Sequence, residues 1–405
     1  MIASFFLTSV LAATPAPAPT QGIVAIRVGR AESITQGSLE HAVILVEGDT
    51  ITAIGEDLPI EPGIPILDRP DWVVTPGIVN CYSRMGLTGR AGNQFEPQMR
   101  ASAELIGVSS LYSTVLEKGV TTLGLVPAGS GITGQSVAIR TKGSTPADLI
   151  LRDGSYLTMT LATNAGSKKA LQKGLDSVTD YEEKTEKDRE KWEKKNSKKK
   201  KSKKDDKEEF EPKPPAAKVA PFVDFVAGDL PGLFNIRKAS DWLHLQDVIG
   251  EYDQLNYALR CLMRDDIDLY EVKQAIGEHA LHVVTTPAIT LQVGTRRARN
   301  IPAELVKEGA QLAFVPRSDS SRAYDDYRYD IGGLVAEGLT RNDAFYGMTL
   351  GPATVLGVDD LVGSLDVDKH ANLILWDGDP FEPSTKVQAV MLEGEWVFEE
   401  DGATE

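Results

Sequence analysis

Three short stretches of the chain carry side chains able to do chemistry. In "VVTPGIVNCYSRMG", residues 73–86, a Thr-Pro-Gly turn and two apolar residues lead into Asn80-Cys81-Tyr82-Ser83. Cys81 as a thiolate suits zinc, and Ser83 is a poor zinc ligand unless deprotonated; one soft donor does not make a site. In "LAFVPRSDSSRA" an apolar run ends in Ser318-Asp319-Ser320, a sequence that also makes a loop with side-chain turns. In "PAGSGITGQSVAIRTKG", Gly129, Gly131 and Gly134 offer backbone amides to an anion. There is no P-loop lysine and no strand-Gly-x-Gly-x-x-Gly-helix context, so a nucleotide site is not supported. The five histidines are His41, His244, His279, His282 and His370. None forms a His-X-His pair at a strand end, and structural roles are expected for all of them.

The elements that must position these residues fall into two kinds. From Ile23 to about Val74 the pattern is strand-like, with a hairpin turn at Gly48-Asp49 in "AVILVEGDTITAIGEDLPI". "ANLILWDGDPF" and "VQAVMLEGEWVFEE" repeat that character at the C-terminus. Two strand-rich ends predict one small β domain assembled from residues 21–75 with 356–405. Between them, helical and strand patterns alternate. "ASAELIGVSSLYSTVLEKG" precedes "VTTLGLVP", "LYEVKQAIGEHA" precedes "LHVVTTPA", and "IPAELVKEGA" precedes "QLAFVP". "TRNDAFYGMTLGPATVLGV" is helical again, with Thr340 as its N-cap. Short joins between such pairs predict a parallel α/β architecture over 76–355. Without its insertion this middle is about 240 residues, close to a (β/α)8 barrel.

The insertion, 181–220, has almost no apolar side chains and buries no core of its own. Its first part, to about Trp192, reads as an exposed helix, and the cluster Lys194–Lys204 as disordered. Residues 182–215 hold 14 basic and 11 acidic residues, against a formal charge of -16 for the whole chain. A tether to an anionic surface and a plain solvated loop both fit that composition. The acidic balance argues against specific nucleic-acid binding. With 41% apolar residues the chain can form a sizeable core, and two cysteines, Cys81 and Cys261, make no disulfide framework. Residues 1–20 have the shape of a secretory signal peptide and spacer with cleavage near Ala12 or Ala13, although no Lys or Arg precedes the apolar run. A frayed apolar tail is the alternative. A periplasmic or secreted location is expected if it is a signal, a cytoplasmic one otherwise, and no later stretch is long enough to be transmembrane.

Taken in order, these pieces resemble the amidohydrolase superfamily, in its imidazolonepropionase-like branch. "VVTPGIVNCYS" is similar to that family's strand and turn before Asp-X-His-X-His. "FEPQMRASAEL" and "LEKGVTTLGLVPAGSGITGQSVAIRTKG" are similar to the following helix and Gly-rich loop segment. The closing stretch from "LTRNDAFYGM" to "EGEWVFE" is the most specific part. The resemblance implies a distorted (β/α)8 barrel plus a small β-sandwich built from both termini. It also implies a divalent metal that activates water and an Asp on the last strand that takes the proton. On that alignment Asn80 stands for the Asp, and Cys81 and Ser83 for the two histidines. "LPGLFNIRKASDWL" puts Asn235 and Arg237 on a second His-X-His place, with Lys238, Ser240 and Asp241 following. Asp265 is nearest to a further His place, Asp319 falls on the catalytic aspartate, and Gln135 lies on the barrel mouth as a pocket wall.

Most ligand places are therefore filled by other residues, and cations stand where a dication should bind. The leading expectation is an amidohydrolase-like protein without a cofactor, in a binding or scaffold role toward a small molecule or protein. The alternative is a hydrolase of carbon–nitrogen, non-peptide bonds in cyclic amides, with an altered mononuclear site for one divalent metal such as zinc. A third reading is an interaction protein using the Lys-rich insertion. The sequence leaves the oligomeric state open.

Overall fold

The computed structural model describes residues 22–89, 92–161, 165–199, 209–252, 254–264, 266–279, 281–400, 403 and 404. The N-terminal segment, Asp265 and the stretch Lys200–Lys204 lie outside the described residues.

In chain order the strands begin with Ile23–Glu32 (β1), Ser38–Glu40 (β2), Ala42–Glu47 (β3), Thr50–Glu56 (β4) and Ile66–Pro76 (β5). Ile78–Ser83 (β6), Gly92–Phe95 (β7), Val120–Leu125 (β8), Gly129–Arg140 (β9) and Ile150–Thr160 (β10) follow. Then come Gly232–Asn235 (β11), Tyr257–Arg260 (β12), His282–Thr285 (β13), the short pair Thr290–Leu291 (β14) and Ala298–Arg299 (β15), and Gln311–Phe314 (β16). Leu373–Trp376 (β17), Val387–Leu392 (β18) and Glu395–Glu399 (β19) close the chain.

One eight-stranded sheet runs β19-β18-β17-β5-β1-β3-β4, with β2 on β1. Its seam is the antiparallel pairing of β5 with β17, Thr75 opposite Ile374. A sandwich of two sheets was expected from the resemblance; these strands instead form a single hydrogen-bonded sheet. At the β3–β4 hairpin Glu47 pairs with Thr50 across two residues. Gly48 takes the positive φ of 61° that such a loop needs at its first position. At β18–β19 both turn residues, Glu393 and Gly394, have positive φ. A Cβ on Gly394 would strike the Gly48 carbonyl, so the two turns touch.

The second sheet runs β16-β13-β12-β11-β10-β9-β8-β6, with β7 on β9. β6 and β8 are parallel, and so are β10 through β13 and β16. Strands such as β8, buried at every position, carry the near-continuous apolar runs of a parallel sheet covered on both faces. β9 and the short β7, which pairs parallel to it, run against the other strands and so depart from an all-parallel barrel. β9, which the sequence presented as a glycine-rich loop, is a twelve-residue strand antiparallel to both β8 and β10. It is a strand because residues 132–139 are all buried. Its glycines are needed for close approach, as at Gly134 (φ 121°), where a Cβ would strike Met99. No ladder joins the edge strands β6 and β16 among the described residues, so the sheet is barrel-like and nearly closed.

One cluster draws Val79, Cys81, Ala138, Tyr156, Leu233, Ala258, Val284 and Ala313 from seven of these strands, which marks the concave interior. Ala353, Val355 and Leu356 of the helix Leu350–Leu356 join it. Gly357, just after that helix, accepts a hydrogen bond from Arg152 near the start of β10. That helix therefore closes the amino-terminal end of the interior and leaves the carboxyl ends open. As expected, Thr340 caps the helix Arg341–Met348, accepting from the Asp343 amide. The insertion's helix is longer than its composition suggested, running Ala165–Lys199. Lys is a good helix former, and the pairs Glu183–Lys187 and Glu190–Lys194 carry the helix past Trp192. No helix among the described residues is long and apolar enough to cross a membrane.

Candidate active site at the carboxyl ends of the strands

Side chains alternate along a strand. Two residues beyond the interior positions Cys81, Tyr156, Leu233, Ala258 and Val284 stand Ser83, Thr158, Asn235, Arg260 and Thr286. A polar layer therefore rests on an apolar one, at the end of the strands where barrel enzymes carry their chemistry.

Asp319 sits beyond β16, exposed, and is tied to β6. Its Oδ1 accepts from the Ser83 hydroxyl at 2.7 Å and its Oδ2 from the Arg84 amide at 2.8 Å. The first and last strands of the sheet are thus joined at their carboxyl ends by this carboxylate. Ser83 in turn accepts from the Met85 amide at 3.0 Å. Asn80 faces elsewhere: its Nδ2 donates to the Tyr324 hydroxyl at 2.8 Å and its Oδ1 accepts from the Tyr82 amide. Ser320 caps the helix Ser321–Ala336 through the Ala323 amide, so the side-chain turn read from Ser-Asp-Ser is present around the carboxylate.

A second group lies on β11 and β12. Arg260 donates from Nη1 to Asn235 Oδ1 at 3.1 Å, and its guanidinium stacks 3.7 Å from the centroid of Tyr82. The Asn235 amide group also donates to the Met159 carbonyl at 3.3 Å. Arg237 is exposed, and its backbone amide donates to the buried Asp241. Gln135 is buried on β9 and donates to the Pro97 carbonyl. Beside β12 and β13 a cleft of about 570 Å³ is lined by Leu262, Met263, Thr286, Ile289, Thr290 and Arg317.

The resemblance implies a divalent metal, and the donors present do not fit one. Cys81 is fully buried in the apolar layer, and burial pushes its thiol up to about 12, so no thiolate forms near neutral pH. Ser83 is spent on Asp319 and Asn235 on Arg260. Among the described residues no three His, Cys, Asp or Glu side chains gather as ligands would. Cys261 is likewise buried and free. Four of the five histidines have other neighbours. His279 bonds the Ala275 carbonyl and His282, at the start of β13, the Tyr346 hydroxyl. His244 lies near Asp247 and His370 near Glu393.

Of the expected residues only Ser83 and Asp319 come together; Asn235 pairs instead with Arg260, and Cys81, Arg237 and Gln135 join neither pair. Sequence reasoning missed Arg260, Tyr82 and Thr158. The signal for Arg260 was in "NYALRCL", where a strand boundary after Arg260 would have placed it two positions beyond Ala258, on the interior face.

Residues 293–397 match the model of the family described as Amidohydrolase family. No curated protein sequence matches the chain. Among solved structures, an amidohydrolase from Thermotoga maritima MSB8 is similar with a TM-score of 0.71 at 20% identity, over 93% of this chain and 100% of that one. A Xaa-Pro dipeptidase with bound methionine in the active site gives 0.55 at 13%, over 93% and 100%. Atrazine chlorohydrolase from Arthrobacter aurescens TC1, complexed with zinc, gives 0.50 at 14%, over 93% and 95%. At such identities the likeness speaks for the fold: the chain has a mixed α/β fold of the amidohydrolase type, with the family's sequence pattern over residues 293–397.

Proposed function

We propose that the protein is a hydrolase acting on carbon–nitrogen, non-peptide bonds of small cyclic amides, with Asp319 taking the proton from the attacking water. The observation that carries this reading is the carboxylate's position. It is exposed beyond the last strand of an amidohydrolase-type sheet, inside the segment that matches the family, and held by Ser83 and the Arg84 amide. A carboxylate has about four acceptor sites, and two are used, so Asp319 can still bind and orient a water. No step is routed through a metal, because the donor set does not suit one.

The finer reading is an imidazolonepropionase-like member whose helices and sheet make a distorted (β/α)8 barrel. In that reading the sheet from both chain ends is a small composite domain, and residues 1–20 direct export.

A second reading is a binding or scaffold role without turnover, favoured by the absence of histidine at the ligand places Cys81, Ser83, Asn235 and Arg237 and by the burial that keeps Cys81 a thiol. The two separate on one experiment. Purified protein, with and without added divalent metals, is assayed against hydantoins, lactams, imidazolones and dihydropyrimidinones alongside Asp319→Asn. The hydrolase reading expects turnover that falls at least about 100-fold in the variant. Turnover untouched by the substitution removes Asp319 from the chemistry. Ligand binding with no turnover of any of these compounds establishes the second reading.

A further inference from the structure

We infer that the open end of the barrel-like sheet binds a small molecule through its carboxylate, which Arg260 receives where the polar layer meets solvent. This deepens the proposed function and rests on its placing of the ligand at this face. Five arginines lie at or just beyond the carboxyl ends of the strands. Three are matched by acids: Arg84 with Glu104 at 3.3 Å, Arg264 with Asp266 at 3.7 Å and Arg317 with Asp330 at 3.1 Å. Arg260 and Arg237, on the adjacent strand ends of β12 and β11, form no ion pair among the described residues. Arg237 is exposed and solvated; Arg260 is half-buried over an apolar layer. A guanidinium taken partly out of water without an anion is unfavourable, and this one is also held in place, by Asn235 at one nitrogen and Tyr82 across its face.

Its remaining edge makes no hydrogen bond among the described residues. Nε is buried and has no partner, and Nε with Nη2 makes the side-on fork whose geometry matches a carboxylate in two parallel bonds. A second buried polar atom in the same layer, the Thr158 hydroxyl on β10, is also without a partner. Two unsatisfied polar groups in one layer at an open end are what a ligand with several acceptor oxygens would complete.

The test is calorimetric titration at constant ionic strength with N-acyl amino acids and small dicarboxylates, each beside its neutral amide, and with inorganic phosphate as a separate arm. The expected result is binding of carboxylates at least about tenfold tighter than of the matched neutral amides. That preference should vanish in Arg260→Met and weaken in Arg260→Lys, which keeps the charge and loses the fork. Circular dichroism and Tm show that both variants fold; if Arg260→Met does not, Arg260→Lys alone decides. Equal binding of acid and amide, unchanged binding in the folded variants, binding of phosphate alone, or no binding by any of these probes overturns the inference. Carboxylates bound without turnover leave it standing while the hydrolase reading fails. Turnover of neutral amides with no carboxylate preference does the reverse.

Discussion

Burial holds the His282 imidazole below its ordinary value of 6.5, with Asp359 opposing the shift. The hydrogen bonds show where a proton would have to go. Tyr346 gives its hydroxyl proton to Gln311 at 2.6 Å, so it accepts from Nε2 of His282 at 3.0 Å. The neutral ring then carries its proton on Nε2, an assignment made from this network, and charging it means protonating Nδ1 in a largely buried setting. The unfolded chain takes up that proton from about pH 6.5 downward while the folded chain resists it. Stability is therefore complete above that pH and falls as pH drops toward the depressed folded value. His282→Gln should flatten this limb, so wild type loses more Tm than the variant between about pH 7 and 5.5. Parallel profiles would mean that His282 contributes nothing. At this scale the sequence was legible in part. Asp319 could be picked out only through the resemblance of its Ser-Asp-Ser segment to the family's, and its partner Ser83 lies 236 residues away, a bond that no local pattern announces.

The helix Ala165–Lys199 is two things in one element. Leu171, Leu175 and Val178 are buried in the core cluster that includes Phe222 and Phe225, and Gly174 lets the helix approach Phe222 so closely that a Cβ would collide. Beyond Val178 none of its described residues is buried, and its ion pairs are local and exposed, each adding only about 0.3–0.5 kcal/mol. The returning chain touches the helix through Phe210 on Trp192 and through Tyr181, which donates to the Lys213 carbonyl. Leu175→Ala should therefore cost about 3 kcal/mol. Replacing residues 183–211 by a short Gly/Ser linker should cost less than about 1 kcal/mol, since loop length enters only logarithmically. Denaturant unfolding of both variants checks this; equal losses would show that the outer helix supports the core. Composition marked the insertion at once, because polar residues that bury nothing are conspicuous. It misjudged where the helix stops, because helical pairing and disorder are written in the same Lys- and Glu-rich alphabet. β9 failed for the opposite reason: its glycines, read as a loop, serve close packing inside a strand.

Across the whole molecule the two sheets share one core. Tyr324, Tyr327, Ile331 and Leu334 of the helix Ser321–Ala336 cluster with Val73, Ile374, Trp376 and Val390 of the sheet built from both chain ends. Local strand patterns marked both ends of the chain, but this joint depends on tertiary contacts that no periodicity records. Arg328 is its centre, only 9% exposed. It donates to the carbonyls of Pro380, Glu382 and Thr385 and lies 5.4 Å from the centroid of Trp376. The indole of Trp376 donates to Thr75 at 2.9 Å, which extends the clamp to β5. Arg328→Met fills similar space but leaves the buried Pro380 and Thr385 carbonyls without a donor, at about 1–3 kcal/mol each. The expected loss is about 3 kcal/mol. Because the core is continuous across the joint, unfolding should remain a single transition, coincident by circular dichroism and by tryptophan fluorescence. Two separated transitions, with the fluorescence change from Trp376 preceding the loss of helix, would show instead that the terminal sheet folds apart from the barrel-like one and that Arg328 only fastens them together.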